Sequence, residues 1–485
     1  MSTRPDTSSA CPVDHAGATD APAPTAPAAS AASRGQLGRD RRRRPSAPGR
    51  LSWLPGSRRM AWLLDHGTSR FGIRYGARKG DLVARMNIEP ALLADPYPSL
   101  TQLRERAPVV PGPLVWATSR HAVVNEMLRS DTFGVGGGHG ELPMPVRRLH
   151  RAFADPMHFG PVDPPSLLAV DPPEHTRYRK LVSRVFTPRA VAALEPRICE
   201  IADTLLDELA ARGRTDFDLI EEYAALLPLA VIADVLGVPD EMHESLLHWG
   251  NGAARLLDPG LSWRDYRRAT DAVARMHAWF DQHVARLRRT PGDDLLSKLA
   301  VLDGEDRLTD VELAATGLLV LGAGFETTVN LIGSAVVLLD EHRDQLDDVL
   351  ADPSLWTNTV EECLRVESPV QLTMRQAYAD TTVAGADVPA GTAVLLMLSG
   401  ANRDPVVFAD PDRFDVRRHN AADHLSFSAG VHFCLGPSLA RMETKVALET
   451  LFTRFPDLRV AGQPVRRPNR VLRGYDRLPV DTGVN

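Results

Sequence analysis

The residues best equipped for chemistry stand together near the C-terminus, in Phe427-Ser-Ala-Gly430-Val-His432-Phe-Cys434-Leu-Gly436. A lone cysteine between glycines and just ahead of a helix is suited to hold a thiolate on a metal. Gly430 and Gly436 let backbone N–H groups come close, where a Cβ would obstruct them. Pro437 suits the first position of a helix, and Leu439, Ala440, Met442 and Ala447 continue it at helical spacing. The positive end of that helix favours the ionised form of Cys434. No second cysteine lies within zinc-ligand spacing, and a sole protein thiolate suits haem iron better than zinc. A buried structural cysteine is the ordinary alternative. The order Phe, Gly, His, Cys, Gly at fixed offsets argues against it.

A second constellation is Leu319-Val-Leu-Gly-Ala323-Gly324-Phe325-Glu326-Thr327-Thr328. Glycine and paired threonines are poor choices inside an apolar helix. A threonine hydroxyl can bond the carbonyl one turn earlier, and Gly324 removes bulk, so the helix is able to bend beside a ligand or to pack closely on another helix. Glu326 needs a partner or a role in so apolar a segment. A third is Glu361-Glu362-Cys-Leu-Arg365, where Glu362 and Arg365 share one helix face.

These segments need a scaffold, and the remaining sequence describes one. The chain has 485 residues, 44% of them apolar and 24% charged, a composition that fits a soluble globular protein. No unbroken run reaches the ~20 apolar residues that a bilayer span requires. The most apolar stretches, near 313–324 and 331–339, are broken by Gly, Thr and Asn and read as core helix. Cys11, Cys199, Cys363 and Cys434 form no disulfide pattern, so a reducing cytoplasm is expected. Residues 1–50 are rich in Ala, Pro, Ser and Thr, carry Arg41-Arg-Arg-Arg44, and read as a disordered tail without the apolar run of an export signal. The first 60 residues hold ten Arg against four Asp, which leaves the remainder of this −6 chain at −12. So acidic a body argues against nucleic acid as a partner. Residues 51–485 read as a single domain, predominantly helical, with helices expected over 194–211, 266–287, 310–339 and 354–366. Short strands are expected between 378 and 398.

The Cys434 decapeptide resembles the haem-ligand loop of the cytochrome P-450 superfamily in its bacterial form. Ser428 stands where that family more often has glycine, and tolerance is expected because serine is small. The resemblance extends from about Asp95-Pro-Tyr-Pro to Leu478 and includes Ala401-Asn-Arg-Asp-Pro405. It implies a mainly α fold with a small sheet region, haem b (iron protoporphyrin IX) as cofactor and Cys434 as its metal ligand. Phe427, Gly430, His432 and Gly436 would complete the haem loop, with Ala323 and Gly324 on the oxygen-binding helix. There Glu326 would be the acid and Thr327 the alcohol of the pair that delivers protons to dioxygen, while Phe325 would make the pocket more apolar. Glu362, Arg365 and Arg413 match the family's buried structural network. His175 and Arg179, one helical turn apart, would join Arg375 and His432 around the haem propionates.

The activity implied is insertion of one oxygen atom of dioxygen into a lipophilic small molecule, such as a polyketide, macrolide, terpenoid or fatty acid. Electrons would come from a ferredoxin and its reductase, docking on a basic patch of Arg177, Lys180, Arg184, Arg441 and Lys445. A peroxide-driven hydroxylase and a non-catalytic haem protein are the rival readings. Pocket walls are expected from 138–168, 226–261, 319–325, 370–374 and 471–477.

Overall fold

The computed structural model describes residues 56–136, 153, 160, 163–302 and 307–483. The tail and most of the expected 138–168 wall lie outside the described residues. The described residues all belong to one compact unit.

Among the described residues, nine helices frame the site. They are α1 (Thr68–Arg78), α2 (Glu174–Val182), α3 (Glu195–Ala211), α4 (Leu226–Leu236), α5 (His243–Ala254), α6 (Trp263–Arg289), α7 (Asp310–Glu341), α8 (Trp356–Val366) and α9 (Pro437–Arg454). The centre is α7, which packs against α4, α5, α6, α8 and α9. Its start is fixed by a capping box: Thr309 Oγ1 accepts from the Glu312 N–H, and Glu312 Oε2 accepts from the Thr309 N–H. Beyond that turn α7 is apolar nearly all round, the pattern of a helix enclosed by others. It is long and apolar enough to cross a membrane, yet most of it is buried inside the fold.

The strands are short and lie in separate small sheets. β1 (Trp116–Thr118), β2 (Phe133–Gly134), β4 (Thr373–Ala377) and β7 (Ala393–Leu396) form a four-stranded sheet ordered β1-β7-β4-β2, with β1 and β7 parallel. β3 (Asp216–Asp218), β11 (Pro479–Asp481) and β8 (Arg459–Val460) make an antiparallel sheet, while β5 (Thr381–Val383) pairs with β6 (Ala386–Val388) and β9 (Val465–Arg466) with β10 (Tyr475–Arg477). One apolar cluster joins Val124, Met127 and Leu128 of helix His121–Arg129 to Leu396 of β7 and to Ala429. The cysteine loop is thereby anchored on the sheet side. On the other side it runs directly into α9, whose Val446, Leu448 and Leu451 are buried.

Candidate active site

The cysteine loop is closed by its own backbone. The Cys434 N–H donates to the Phe427 carbonyl at 2.9 Å, and the Phe433 N–H donates to that of Gly430 at 3.1 Å. Glycine is obligatory at 430: φ is +68°, and a Cβ there would lie 2.2 Å from the Leu128 carbonyl oxygen. At Gly436 neither constraint applies, since φ is −112° and the nearest contact of a Cβ would be the Phe186 ring at 3.7 Å. Ser428 adopts φ +62°, a left-handed conformation that costs a side-chain-bearing residue about 1–2 kcal/mol. Its hydroxyl finds no partner among the described residues. Serine is thus accommodated with strain, and the positive φ explains why glycine would be easier there.

Cys199 and Cys363 are buried, whereas Cys434 is only partly so. Burial pushes the Cys434 thiol up, while N–H groups of Gly436 and Leu435 and the guanidinium groups of Arg179 and Arg441 act in the opposite direction. The start of α9 therefore aims donors at this sulfur, and a cation bound to it would complete the balance. Arg179 reaches back from α2 to the carbonyls of Val431 at 3.3 Å and Cys434 at 3.4 Å, tying helix to loop.

The four expected anion-binding residues converge. The His175 and His432 rings lie 4.3 Å apart, and His432 Nε2 is 3.4 Å from Asp171 Oδ1. Burial, with the charges of His432 and Arg179, lowers His175 to about 4. Arg375 is 3% exposed on β4 and donates only to Met374 O at 2.9 Å and Thr373 Oγ1 at 3.2 Å. Burial lowers it also, opposed by the charge of Asp171. Asp171, absent from the sequence reading as a site residue, is the local anion. Burial works to raise its carboxyl, but bonds from His432, Tyr378 and the Val135 N–H outweigh that and hold it at about 2. Two or three cationic groups around a single carboxylate leave room for further negative charge.

On α7 the side chains divide by face. Phe325, Glu326 and Thr328 are buried, whereas Leu319, Gly322, Ala323 and Thr327 leave an open strip at i, i+3, i+4 and i+8. Thr327 Oγ1 donates to the Ala323 carbonyl at 3.0 Å. The helix is continuous through Gly324 and does not break there. A Cβ at Gly324 would sit 2.8 Å from Ile232 Cγ1, so this glycine serves close packing against α4. Phe325 does not line the pocket as expected: it is fully buried against α5, where a Cβ on Gly250 would meet its Cζ at 2.5 Å. Glu326 forms an ion pair with Arg467, a partner the sequence reading missed, and its other oxygen is unpaired among the described residues. Glu443 of α9 was also missed. Burial raises its carboxyl well above the ordinary range, with the Thr328 hydroxyl as its polar neighbour.

The structural network corrects one residue. Glu362 accepts from Arg365 Nε at 2.7 Å and Nη2 at 2.8 Å, from Arg418 Nε at 3.0 Å and from the Asp415 N–H at 3.0 Å. Arg418, not Arg413, is the second arginine. The Arg413 side chain is 67% exposed, and only its carbonyl enters the network, accepting from Arg365 and Arg418. The turn closed by Arg418 N–H on Asp415 O brings the later arginine inward. The basic patch is thinner than expected, because Arg177 pairs with Glu312 and Arg441 chelates Glu361.

A helical fold around α7, with one cysteine on a donor-lined loop and cations gathered beside it, defines a haem-thiolate protein. Residues 157–470 match the family described as Cytochrome P450. The chain is 45% identical over 430 residues to cytochrome P450 140 of Mycobacterium tuberculosis, spanning 88% of this chain and 98% of that one. It is 40% identical over 399 residues to the vitamin D(3) 25-hydroxylase of Pseudonocardia autotrophica, covering 80% and 94%. Among solved structures, a myxobacterial cytochrome P450 in complex with myristic acid superposes with a TM-score of 0.75 at 35% identity, covering 83% of this chain and all of that one. The chain belongs to the cytochrome P450 family, whose members bind haem b through a cysteine thiolate and incorporate oxygen from dioxygen. The residues present fit that group. The loop supplies a thiol with two N–H donors, and Arg375 is a buried guanidinium without a carboxylate at bonding distance among the described residues.

Proposed function

We propose that this monooxygenase oxidises a lipophilic small molecule in the cytoplasm, with electrons delivered by a ferredoxin and its reductase. The observation that carries the site assignment is the Cys434 sulfur receiving N–H groups from Leu435 and Gly436. When bound, haem supplies dioxygen activation and the oxidising power. Cys434 is its thiolate ligand, and the backbone donors disperse the negative charge on sulfur. Arg179, Arg375, His175 and His432 hold the haem carboxylates by charge-assisted hydrogen bonds. Thr327, on the open strip of α7, holds a proton at Oγ1, and Glu326 replenishes it from the buried side of the same turn. Gly322 and Ala323 keep that strip free of bulk.

The substrate class rests on the Leu, Val, Pro and Met content of the expected wall segments and on the lipophilic compounds in the names of the similar proteins, vitamin D(3) and myristic acid. Lys180 and Arg184, exposed near the Cys434 side, steer an acidic ferredoxin. Haem-loaded protein is to be screened with myristic acid and vitamin D(3) by spin-state shift. Shifting compounds are then turned over with NADPH, ferredoxin and reductase, or with hydrogen peroxide alone. Dioxygen-dependent product that consumes NADPH supports the reading. Product with peroxide only, or no turnover of any compound that shifts the spectrum, contradicts it.

A further inference from the structure

A surface helix ordinarily turns polar residues to water, and α1 turns two aromatic rings out among them. Phe71 and Tyr75, one turn apart on its outer face, are 73% and 53% exposed and stack with ring centres 6.5 Å apart. Leu114 is 56% exposed beside them, close enough that a Cβ on Gly72 would meet its Cδ1 at 2.7 Å. Arg74, Arg78 and Lys79 share this face, all exposed, with the Lys79 ammonium 5.7 Å from the Tyr75 ring centre. Residues 66–80 hold four cations and no acid, in a chain whose body is acidic. Among the described residues no carboxylate pairs with Arg74, Arg78 or Lys79. A cleft lined by Ile73, Arg74, Ile88, Leu93 and Arg470 opens at the edge of this face.

Aromatic rings interleaved with unpaired cations on one convex helix face fit a lipid headgroup layer. The rings reach the acyl boundary while the cations meet lipid phosphates. Neither feature alone demands a membrane, but exposed aromatics without cations would suit a second copy, and cations without aromatics would suit a solvated face. Stable anchoring takes two signals, and the rings and the cations of this one face supply both. We infer that α1 is a docking surface for anionic lipid bilayers. The inference does not depend on which substrate the enzyme oxidises.

The test is flotation of the full-length, haem-loaded protein with vesicles of phosphatidylglycerol and phosphatidylcholine, or of phosphatidylcholine alone. Binding is expected only with phosphatidylglycerol and should weaken sharply at high salt. Neutralising Arg74, Arg78 and Lys79 to Gln should lower partitioning about 100-fold, near five-fold per charge. Phe71→Ser with Tyr75→Ser should lower it at least ten-fold. An unchanged carbon monoxide spectrum in each variant shows that the fold is kept. The inference is overturned by equal binding to both vesicle types. It is overturned as well if binding disappears on changing Arg41–Arg44 to Ser while both α1 variants still bind. Dissociation of a dimer by F71S/Y75S without change in vesicle binding would assign the face to self-association instead.

Discussion

Glu362 of α8 and Glu326 of α7 are both buried carboxylates facing arginine, and they are furnished differently. Glu362 accepts four hydrogen bonds from Arg365, Arg418 and the Asp415 N–H, three on Oε1 and one on Oε2, so neither oxygen is left without a donor. Glu326 has Arg467 on one oxygen and nothing on the other among the described residues. A saturated network of this kind fixes one arrangement of the chain, since any loss leaves uncompensated charge. An unsaturated carboxylate keeps a lone pair available for a proton or a water. Stability concentrates at the first, beneath the cysteine loop, and reactivity at the second, beside the open strip of α7.

The comparison breaks most readily at Glu362. Glu362→Gln or Arg418→Ala should cost about 3–5 kcal/mol by thermal unfolding, with loss of haem on purification. Arg413→Ala should cost under about 0.5 kcal/mol. Equal effects at 413 and 418 would refute the assignment of the second arginine.

Next comes Glu361, whose neighbours are Arg441 and His424. Burial works to raise its carboxyl, but the bonds from His424 and Arg441 prevail and hold it at about 2. A depressed carboxylate stabilises the fold above its ordinary range near 4.5, and that contribution is lost as pH falls through the native value. On the order of 3 kcal/mol should therefore vanish between pH 4.5 and 2 in acid unfolding. Glu361→Gln should flatten that stretch of the profile.

Glu326→Gln should reduce product formation about 100-fold, while the carbon monoxide spectrum is kept. Haem loss of the kind expected at Glu362 would show that Glu326 is structural too. Ser428→Gly acts in the opposite direction: it relieves the positive φ and should stabilise by about 0.5 kcal/mol once the greater freedom of unfolded glycine is subtracted.

The cysteine loop, the course of α7 and the Glu362–Arg365 pair are legible in the sequence because each is local. Spacing within ten residues carries them. Arg418 is not, since a turn decides which of Arg413, Arg417 and Arg418 points inward, and all three fit the same composition. Arg467 and Asp171 meet their partners across 141 and 261 residues, and no periodicity reports such a meeting. Phe325 misled for a related reason, and Gly324 left two readings open. Their place on α7 was evident, but which face looks toward α4 and α5 is set by packing. Asp171 did carry a signal, as the acid one turn before His175.

The most direct test of the central claim is the absorbance spectrum of dithionite-reduced protein under carbon monoxide, compared with Cys434→Ser. A Soret band at the long-wavelength position of thiolate-ligated haem, lost in the variant, is the predicted result. A short-wavelength band in both proteins, or no haem in either, would contradict Cys434 as the ligand and the monooxygenase account built on it.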